Sequence, residues 1–294
     1  MTAAPMRIIV CTKRDLIGAL VLNELLPDLA DCRVRVLLSN KTRAAEVALP
    51  ELAEMKFLER DLPLGTVFPL VDRLGGGGRL VTFAGVTGRF GVAVDIVDDI
   101  NAPANVELVR AFAPDAIISV RFSHIFKRRV FGIPRFGTYN IHPGALPRYA
   151  GLFSPFHCLL DGDCESIGST LHRVDDGIDT GPVIGVGALP IAPGRSLLWH
   201  VLNAYRPGLE RFLAMVEGWR RGDLPEPIPQ DFSLRHYRSM PDAEAFAAFR
   251  ARGLHLYDPA EYAEILAGFL PPELQVATAS ADDDVGGPCC YAPA

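Results

Sequence analysis

Two short apolar runs near the amino terminus, Met6 to Cys11 (MRIIVC) and Arg33 to Ser39 (RVRVLLS), constrain this chain more than any other feature. Each is a continuous β-rich run, the pattern of strands buried on both faces in a parallel sheet. Between them Leu16, Ile17, Leu20, Val21, Leu25, Leu26 and Leu29 follow helical spacing, and Asp15 stands where it can cap that helix. Strand, helix and strand within about forty residues form a βαβ unit, which implies a right-handed crossover and a parallel sheet.

The pattern continues along the chain. Strands are expected at Val92 to Val97, Asp115 to Val120, Gly137 to Ile141 and Gly168 to Val174, and helices over Ala104 to Phe112 and Pro155 to Asp161. From Leu62 to Gly91 the glycines at 75 to 78, 85, 88 and 91 interrupt every period, so this stretch reads as loop with one helix. HPGALPRYAG, residues 142 to 151, reads as irregular, because prolines and glycines block both kinds of ladder. Ser196 opens a helix through Tyr205, Pro207 breaks or kinks it, and an amphipathic stretch runs on to Trp219. Two more short helices are signalled by Pro241 with Asp242 and by Asp258 with Pro259. The expected architecture is therefore α/β, with a mostly parallel central sheet over residues 1–195, a helical C-terminal extension over 196–270, and a small, polar, disordered tail over 271–294.

Composition narrows the function classes. A chain of 294 residues, 49% hydrophobic and 22% charged, is long enough to bury a full core. Its net charge of −6 offers no general attraction to phosphate backbones, which disfavours a nucleic-acid partner. The N-terminus lacks the layout of a signal peptide, and no uncharged apolar run reaches membrane-spanning length. The six cysteines, at 11, 32, 158, 164, 289 and 290, form neither a zinc spacing nor a compact disulfide framework. Reduced thiols in a cytoplasm, with no membrane partner and no metal, are the expectation; Cys158 and Cys164 read as inert.

The chemistry concentrates at 140 to 181. The sequence NIHP follows an apolar strand, and ligands of open α/β sheets bind at the carboxyl ends of strands. Asn140 and His142 are two apart and so share a face while strand geometry persists. An amide N–H beside an imidazolium N–H suits acyl transfer to an amine, where a carbonyl oxygen becomes an oxyanion. A carboxylate would complete the set by holding the imidazole charged and oriented. VDDGIDTG offers three, Asp175, Asp176 and Asp179, and the spacing leaves them open. Taken without further context, a lone histidine or an asparagine before a turn more often serves structure than catalysis.

NIHPGALPRYAG, then GSTLH at 168 to 172 and D-x-G-x-D-T-G at 175 to 181, resemble in order and spacing the core of the folate-dependent formyltransferases. LLSNK at 37 to 41 and APDAIISVRFSHIF at 113 to 126 extend the similarity over roughly residues 6 to 190. The resemblance implies a Rossmann-like formyltransferase fold with Asn140, His142 and Asp179 as catalytic residues and N10-formyltetrahydrofolate as donor. It further implies that the pterin lies between two loops, Phe122, Ser123, His124, Ile125 and Phe126 on one side and Asp175, Asp176, Gly177 and Ile178 on the other. Read on their own, Phe122, Ile125 and Phe126 are as well explained by core packing, and His124 by a surface loop. Ser169, Thr170 and His172 fall beside the site as supports.

Departures from the family's patterns bear on the acceptor. CTKRDLIG after the first strand lacks the successive glycines of a phosphate-gripping loop, which disfavours glycinamide ribonucleotide as acceptor. Helical patterning after 196 and the acidic charge disfavour a transfer-RNA acceptor. Gly144 stands where the family usually has serine, so a hydroxyl contact expected there is in doubt. The acceptor expected is a small-molecule amine, first N5-hydroxyornithine in siderophore assembly and second an amino sugar carried on a nucleotide; hydrolysis of formyltetrahydrofolate is the further alternative. The stretch 62 to 91 is expected to form a lid, and the helices carrying Trp199, Tyr205, Phe212 and Trp219 either complete the pocket, form a homodimer face or pack on the core.

Overall fold

The computed structural model describes residues 4–163, 165–189, 192 and 194–275; Cys164, Cys289, Cys290 and the expected tail from 276 onward lie outside them. The first strand, β1 (Arg7–Lys13), leads into α1 (Leu16–Leu25), whose N-cap Asp15 accepts a hydrogen bond from the Gly18 N–H. β2 (Arg33–Ser39) returns parallel to β1, as the βαβ pattern requires.

After β2 the chain departs from expectation. α2 (Pro50–Lys56) runs through two π-helical turns, Phe57–Asp61 and Pro63–Val67, into α3 (Phe68–Arg73), and a separate α4 (Phe83–Phe90) follows. The expected loop with one helix is thus helical at both ends. Pro63 and Pro69 cannot donate, and the wider π turns, closed by Leu62 N–H to Phe57 O and Phe68 N–H to Pro63 O, carry the chain past them. Burial of Leu58, Phe68 and Val71 holds the segment down, and a buried apolar side chain contributes about 1.5–3 kcal/mol.

β3 (Ala93–Ile96), α5 (Pro103–Phe112), β4 (Ala116–Val120) and β5 (Gly137–His142) then follow the expected order, with a short α6 (Arg128–Phe131) between β4 and β5. Beyond them come the two-residue β6 (Ala150–Gly151), α7 (Ser154–Asp161), β7 (Gly168–Arg173) and β8 (Val183–Ala188). β6 corrects the reading of 142 to 151 as irregular: its last two residues pair with β9 (Tyr237–Arg238), far along the chain. β8, with glycines at 185 and 187, has no expectation in the sequence pattern.

The sheet order is β3-β2-β1-β4-β5-β7-β8, parallel from β3 to β5 and antiparallel across β5-β7 and β7-β8. Side chains alternate between two cores. Ile8, Val10, Ile118 and Ile141 face the larger one, shared with α1, α7 and the C-terminal helices. Ile9, Cys11 and Ile117 face the smaller one, shared with α5 and α6.

The C-terminal helices α8 (Leu197–Asn203), α9 (Arg206–Arg221), α10 (Ala243–Ala251) and α11 (Pro259–Ala267) cover the larger core. Tyr205, Phe212 and Trp219 are buried there and Trp199 is half-buried; Tyr205 also reaches the cavity described below. α9 approaches β5 and β7 so closely that a Cβ at Gly208 would lie 2.4 Å from an Ile141 methyl; its N–H donates to Ser169 Oγ at 2.8 Å. α10 is seated on α7 by Phe156, which stacks on Phe249 at 4.7 Å and meets Phe246 edge-on at 5.0 Å. Among the described residues no helix is long and apolar enough to cross a membrane.

Candidate active site

The strand order reverses between β1 and β4, and a cavity of about 340 Å³ opens at the carboxyl ends of β1, β4 and β5. Such reversals leave a crevice because the crossovers on either side run to opposite faces. Lys13, Arg121 and His142, at or next to the last residues of these strands, line it.

Ile141 is buried in the larger core, so its neighbours Asn140 and His142 project from the opposite face of β5. His142 is 3% exposed. Its Nε2 stands 2.6 Å from the Tyr149 carbonyl oxygen. A carbonyl only accepts, so Nε2 carries the hydrogen. Nδ1 faces Asp179 Oδ2 at 3.5 Å, beyond ordinary hydrogen-bond length. The three carboxylates left open by the sequence now separate. Asp175 Oδ1 accepts from Gly177 N–H and Thr180 Oγ and so closes its own loop. Asp176 is exposed, pairs with Arg128 at 2.5 Å and does not line the cavity. Only Asp179 reaches the imidazole.

Asp179 sits between two histidines, with His172 Nε2 3.8 Å from its Oδ1. His172 Nδ1 donates to the Arg173 carbonyl at 3.0 Å, which leaves Nε2 as an acceptor for the Asn140 amide N–H at 3.1 Å. Burial lowers His172 from the ordinary 6.5 to about 4, outweighing the upward pull of Asp179, and the ring is neutral at physiological pH. A neutral His172 thereby fixes the Asn140 amide with its NH₂ on the side of Asp179. This goes further than the support read for His172 from its position on a strand. Ser169 and Thr170 act at greater distance: Ser169 holds α9, and Thr170 Oγ donates to the Gly144 carbonyl and accepts from Leu146 N–H.

The doubt over Gly144 finds an answer in Ser154. Its Oγ lies 3.1 Å from His142 Nε2 and donates to the Tyr149 carbonyl at 2.9 Å. A Cβ at Gly144 would come within 2.8 Å of Ser154 Cβ, so a side chain at 144 and the serine at 154 compete for one space.

All five residues Phe122 to Phe126 line the cavity, in unequal ways. Phe126 is core, Phe122 stacks on it at 5.4 Å, and Ile125 projects with 62% exposure. His124 is buried, not at the surface, and burial lowers its pKa below the usual histidine value. Asp175, Gly177 and Ile178 form the opposite lip. Sequence reasoning missed Asn101, which props the first loop: its Nδ2 donates to the Ile125 carbonyl at 2.8 Å and its Oδ1 accepts from Lys127 N–H at 2.9 Å.

The far end of the cavity is charged. Arg121 Nε donates to Asp15 Oδ2 at 2.7 Å and its Nη2 to Glu59, while Lys13 Nζ meets Glu46 at 3.2 Å. Burial alone would lower the Arg121 guanidinium, but the Glu59 and Asp15 carboxylates beside it hold it well above its ordinary value. Burial in turn raises Glu59. Only Asp15 carries a local signal, as helix cap; its pairing with Arg121 spans more than a hundred residues. Leu52, Met55, Lys56, Glu59 and Arg60 wall this end, and no residue of 62–91 lines the cavity, so the expected lid is replaced by the helical segment before it. Among the described residues no cluster of three histidine, cysteine or acidic side chains is placed to hold a metal ion. Cys158 is buried, and burial raises its thiol.

Comparison with known proteins bears on this site. A family described as formyl transferase matches residues 98–198, which include both loops, Asn140, His142 and Asp179. A methionyl-tRNA formyltransferase of Halorhodospira halophila is 35% identical over 169 residues, 56% of this chain and 54% of that protein. The chain thus spans about half the length of this curated relative. Among solved structures, a 4-N formyltransferase from Francisella tularensis superposes with a TM-score of 0.54 at 16% identity, covering 81% of this chain and 78% of the other. An N-formyltransferase from Helicobacter canadensis, in complex with folinic acid and dTDP-3-aminofucose, gives 0.51 at 19% identity, with 80% and 71% covered. At these identities the structural likeness speaks for the fold, and it is the fold expected from the motifs. The formyl transferase match thus falls on the residues that form this site, and the fold around it is the one seen in solved formyltransferases.

Proposed function

We propose that this chain transfers a formyl group from N10-formyltetrahydrofolate to the nitrogen of a small-molecule amine. The observation that carries the reading is the convergence of the Asn140 amide, the His142 ring and the Asp179 carboxylate on one cavity at the strand ends. The slot between Phe122–Phe126 and Asp175–Ile178, apolar at Phe122, Ile125 and Ile178, fits a flat heterocycle. When bound, the folate supplies an activated formyl carbon. The Helicobacter canadensis relative was crystallised with folinic acid, in keeping with such a donor.

The chain's own groups divide the work. One Asn140 N–H is taken by His172, and the second is free to donate to an oxygen gaining negative charge. The attacking nitrogen must shed a proton as its bond to the formyl carbon forms, and the departing nitrogen must gain one as its bond breaks. His142 Nδ1 is the ring atom able to take a proton, since Nε2–H is committed to Tyr149, and Asp179 stabilises the imidazolium that results.

The acceptor is read as small because α8 and the residue that precedes α9 wall the cavity through Val201 and Tyr205, and the paired charges of Arg121, Asp15, Glu59, Lys13 and Glu46 stand at its far end. Asp15 fills the N-terminus of α1 with the chain's own carboxylate, which supports an acceptor not gripped there by phosphate. N5-hydroxyornithine and an amino sugar on a nucleotide both fit this description. One observation favours a second reading, formylation of methionyl-tRNA: the relative from Halorhodospira halophila bears that name. Incubation of the purified protein with formyltetrahydrofolate and a panel of N5-hydroxyornithine, nucleotide-linked amino sugars and methionyl-tRNA, followed by product mass, separates them. Gain of one formyl group by a small amine is the expected result. Formate release that no amine accelerates would contradict transfer.

A further inference from the structure

Asp179 has a backbone φ of +52°, in the left-handed region that side-chain-bearing residues rarely occupy. Its own loop does not account for this: the Asp175 contacts close the turn at Gly177 and Thr180 and leave the peptide of Asp179 untouched. The contacts that do reach it come from a later segment. Gln230 Nε2 donates to the carbonyls of Asp179 at 3.1 Å and Gly181 at 2.7 Å. Arg235 donates through Nη1 to the same Asp179 carbonyl at 3.1 Å and through Nη2 to that of Ile178 at 2.9 Å.

This segment is anchored on both sides. Ile228 exchanges two hydrogen bonds with Val183 at 2.8 Å each, and β9 pairs with β6. β6 also contributes the Gly151 N–H that donates to Asp179 Oδ2 at 3.2 Å. One strap, residues 228 to 240, therefore grips the carbonyl side of the Asp179 loop and braces the strand that meets its carboxylate. Its end, with Tyr237 and Met240, lines the cavity itself. The strap lies outside residues 98–198, where the family match falls.

We propose that Gln230 and Arg235 are positioning residues: they hold Asp179 in the left-handed conformation that aims its carboxylate at His142 and His172. This rests on the reading of Asp179 as part of the formyl-transfer centre. Both side chains are half-buried at the surface, so their removal leaves the core intact. The test uses the full chain carrying Gln230→Ala with Arg235→Met, and separately Arg235→Lys, which keeps one donor. Hydrogen exchange over 175–181 reads the clamp without reference to activity. It is expected to speed up about tenfold or more in the double variant, the change that loss of one charge-assisted bond corresponds to, at an unaltered melting temperature. In the same variant kcat is expected to fall about tenfold or more with the donor KM little changed, and Arg235→Lys to recover part of it. Unchanged exchange in the loop overturns the proposal, as does faster exchange with undiminished kcat. If the parent chain formylates no amine, the proposed function falls, and the exchange measurement still decides whether the strap holds the loop.

Discussion

His172 lies within reach of both Asn140 and Asp179, and its neutral ring gives the site a definite dependence on pH. Its pKa is about 4 in the fold against 6.5 ordinarily, so the unfolded chain binds a proton more readily than the folded one between those values. Stability from this group is fully present above about pH 6.5 and is lost as pH falls toward 4, on the order of 3 kcal/mol in total. Urea unfolding at pH 7, 5 and 4 should show this loss, and His172→Gln should flatten it; equal slopes for both proteins would contradict the assignment. Turnover should fall in the same window, because a protonated ring turns an N–H against the Asn140 donor it now accepts from. At this scale the sequence showed the pair Asn140 and His142 but left Asp175, Asp176 and Asp179 open. What separates them is a left-handed backbone at 179, costing roughly 1–2 kcal/mol, and contacts from residues about fifty positions away. No local pattern carries that information.

Among the elements, β1, β2, β4 and β5 were legible because each is a short, largely buried apolar run, α1, α10 and α11 because spacing and caps agree, and α5 because its spacing is framed by prolines. The segment from Pro50 to Arg73 was not, since two prolines and a glycine argue against the helix that burial of Leu58, Phe68 and Val71 nonetheless secures. Loop support is equally hidden. Asn101 sits at the start of the turn before α5 yet holds Ile125 and Lys127, more than twenty residues on, by two partly buried bonds. Removing them with Asn101→Ala should loosen the loop that forms one lip of the donor slot. The expected outcome is a roughly tenfold weaker Kd for folinic acid, used as a non-reacting donor analogue, with kcat at saturating donor close to that of the parent. Calorimetric titration checks it, and an unchanged Kd would show that the loop keeps its shape without Asn101.

Across the whole molecule, a reversal of strand order creates the crevice, and four distant stretches then furnish it: β1 with α1, the helical run before 62, the two loops of the formyl transferase domain, and the C-terminal helices with their strap. The sequence indicated the first and third because their residues lie close together. The second and fourth are brought in by long-range packing, through Phe156 on Phe249 and Gly208 against Ile141, and by ion pairs such as Arg121 with Asp15 and Glu59. The arrangement has one central claim, that Asn140, His142 and Asp179 act on a formyl group rather than merely shape the pocket. Single-turnover transfer from formyltetrahydrofolate, measured beside donor affinity for the parent, His142→Ala and Asp179→Asn proteins, addresses it most directly. The account predicts rates lowered by about 10²–10⁴-fold in both variants with donor affinity retained; near-parental rates in both would contradict it.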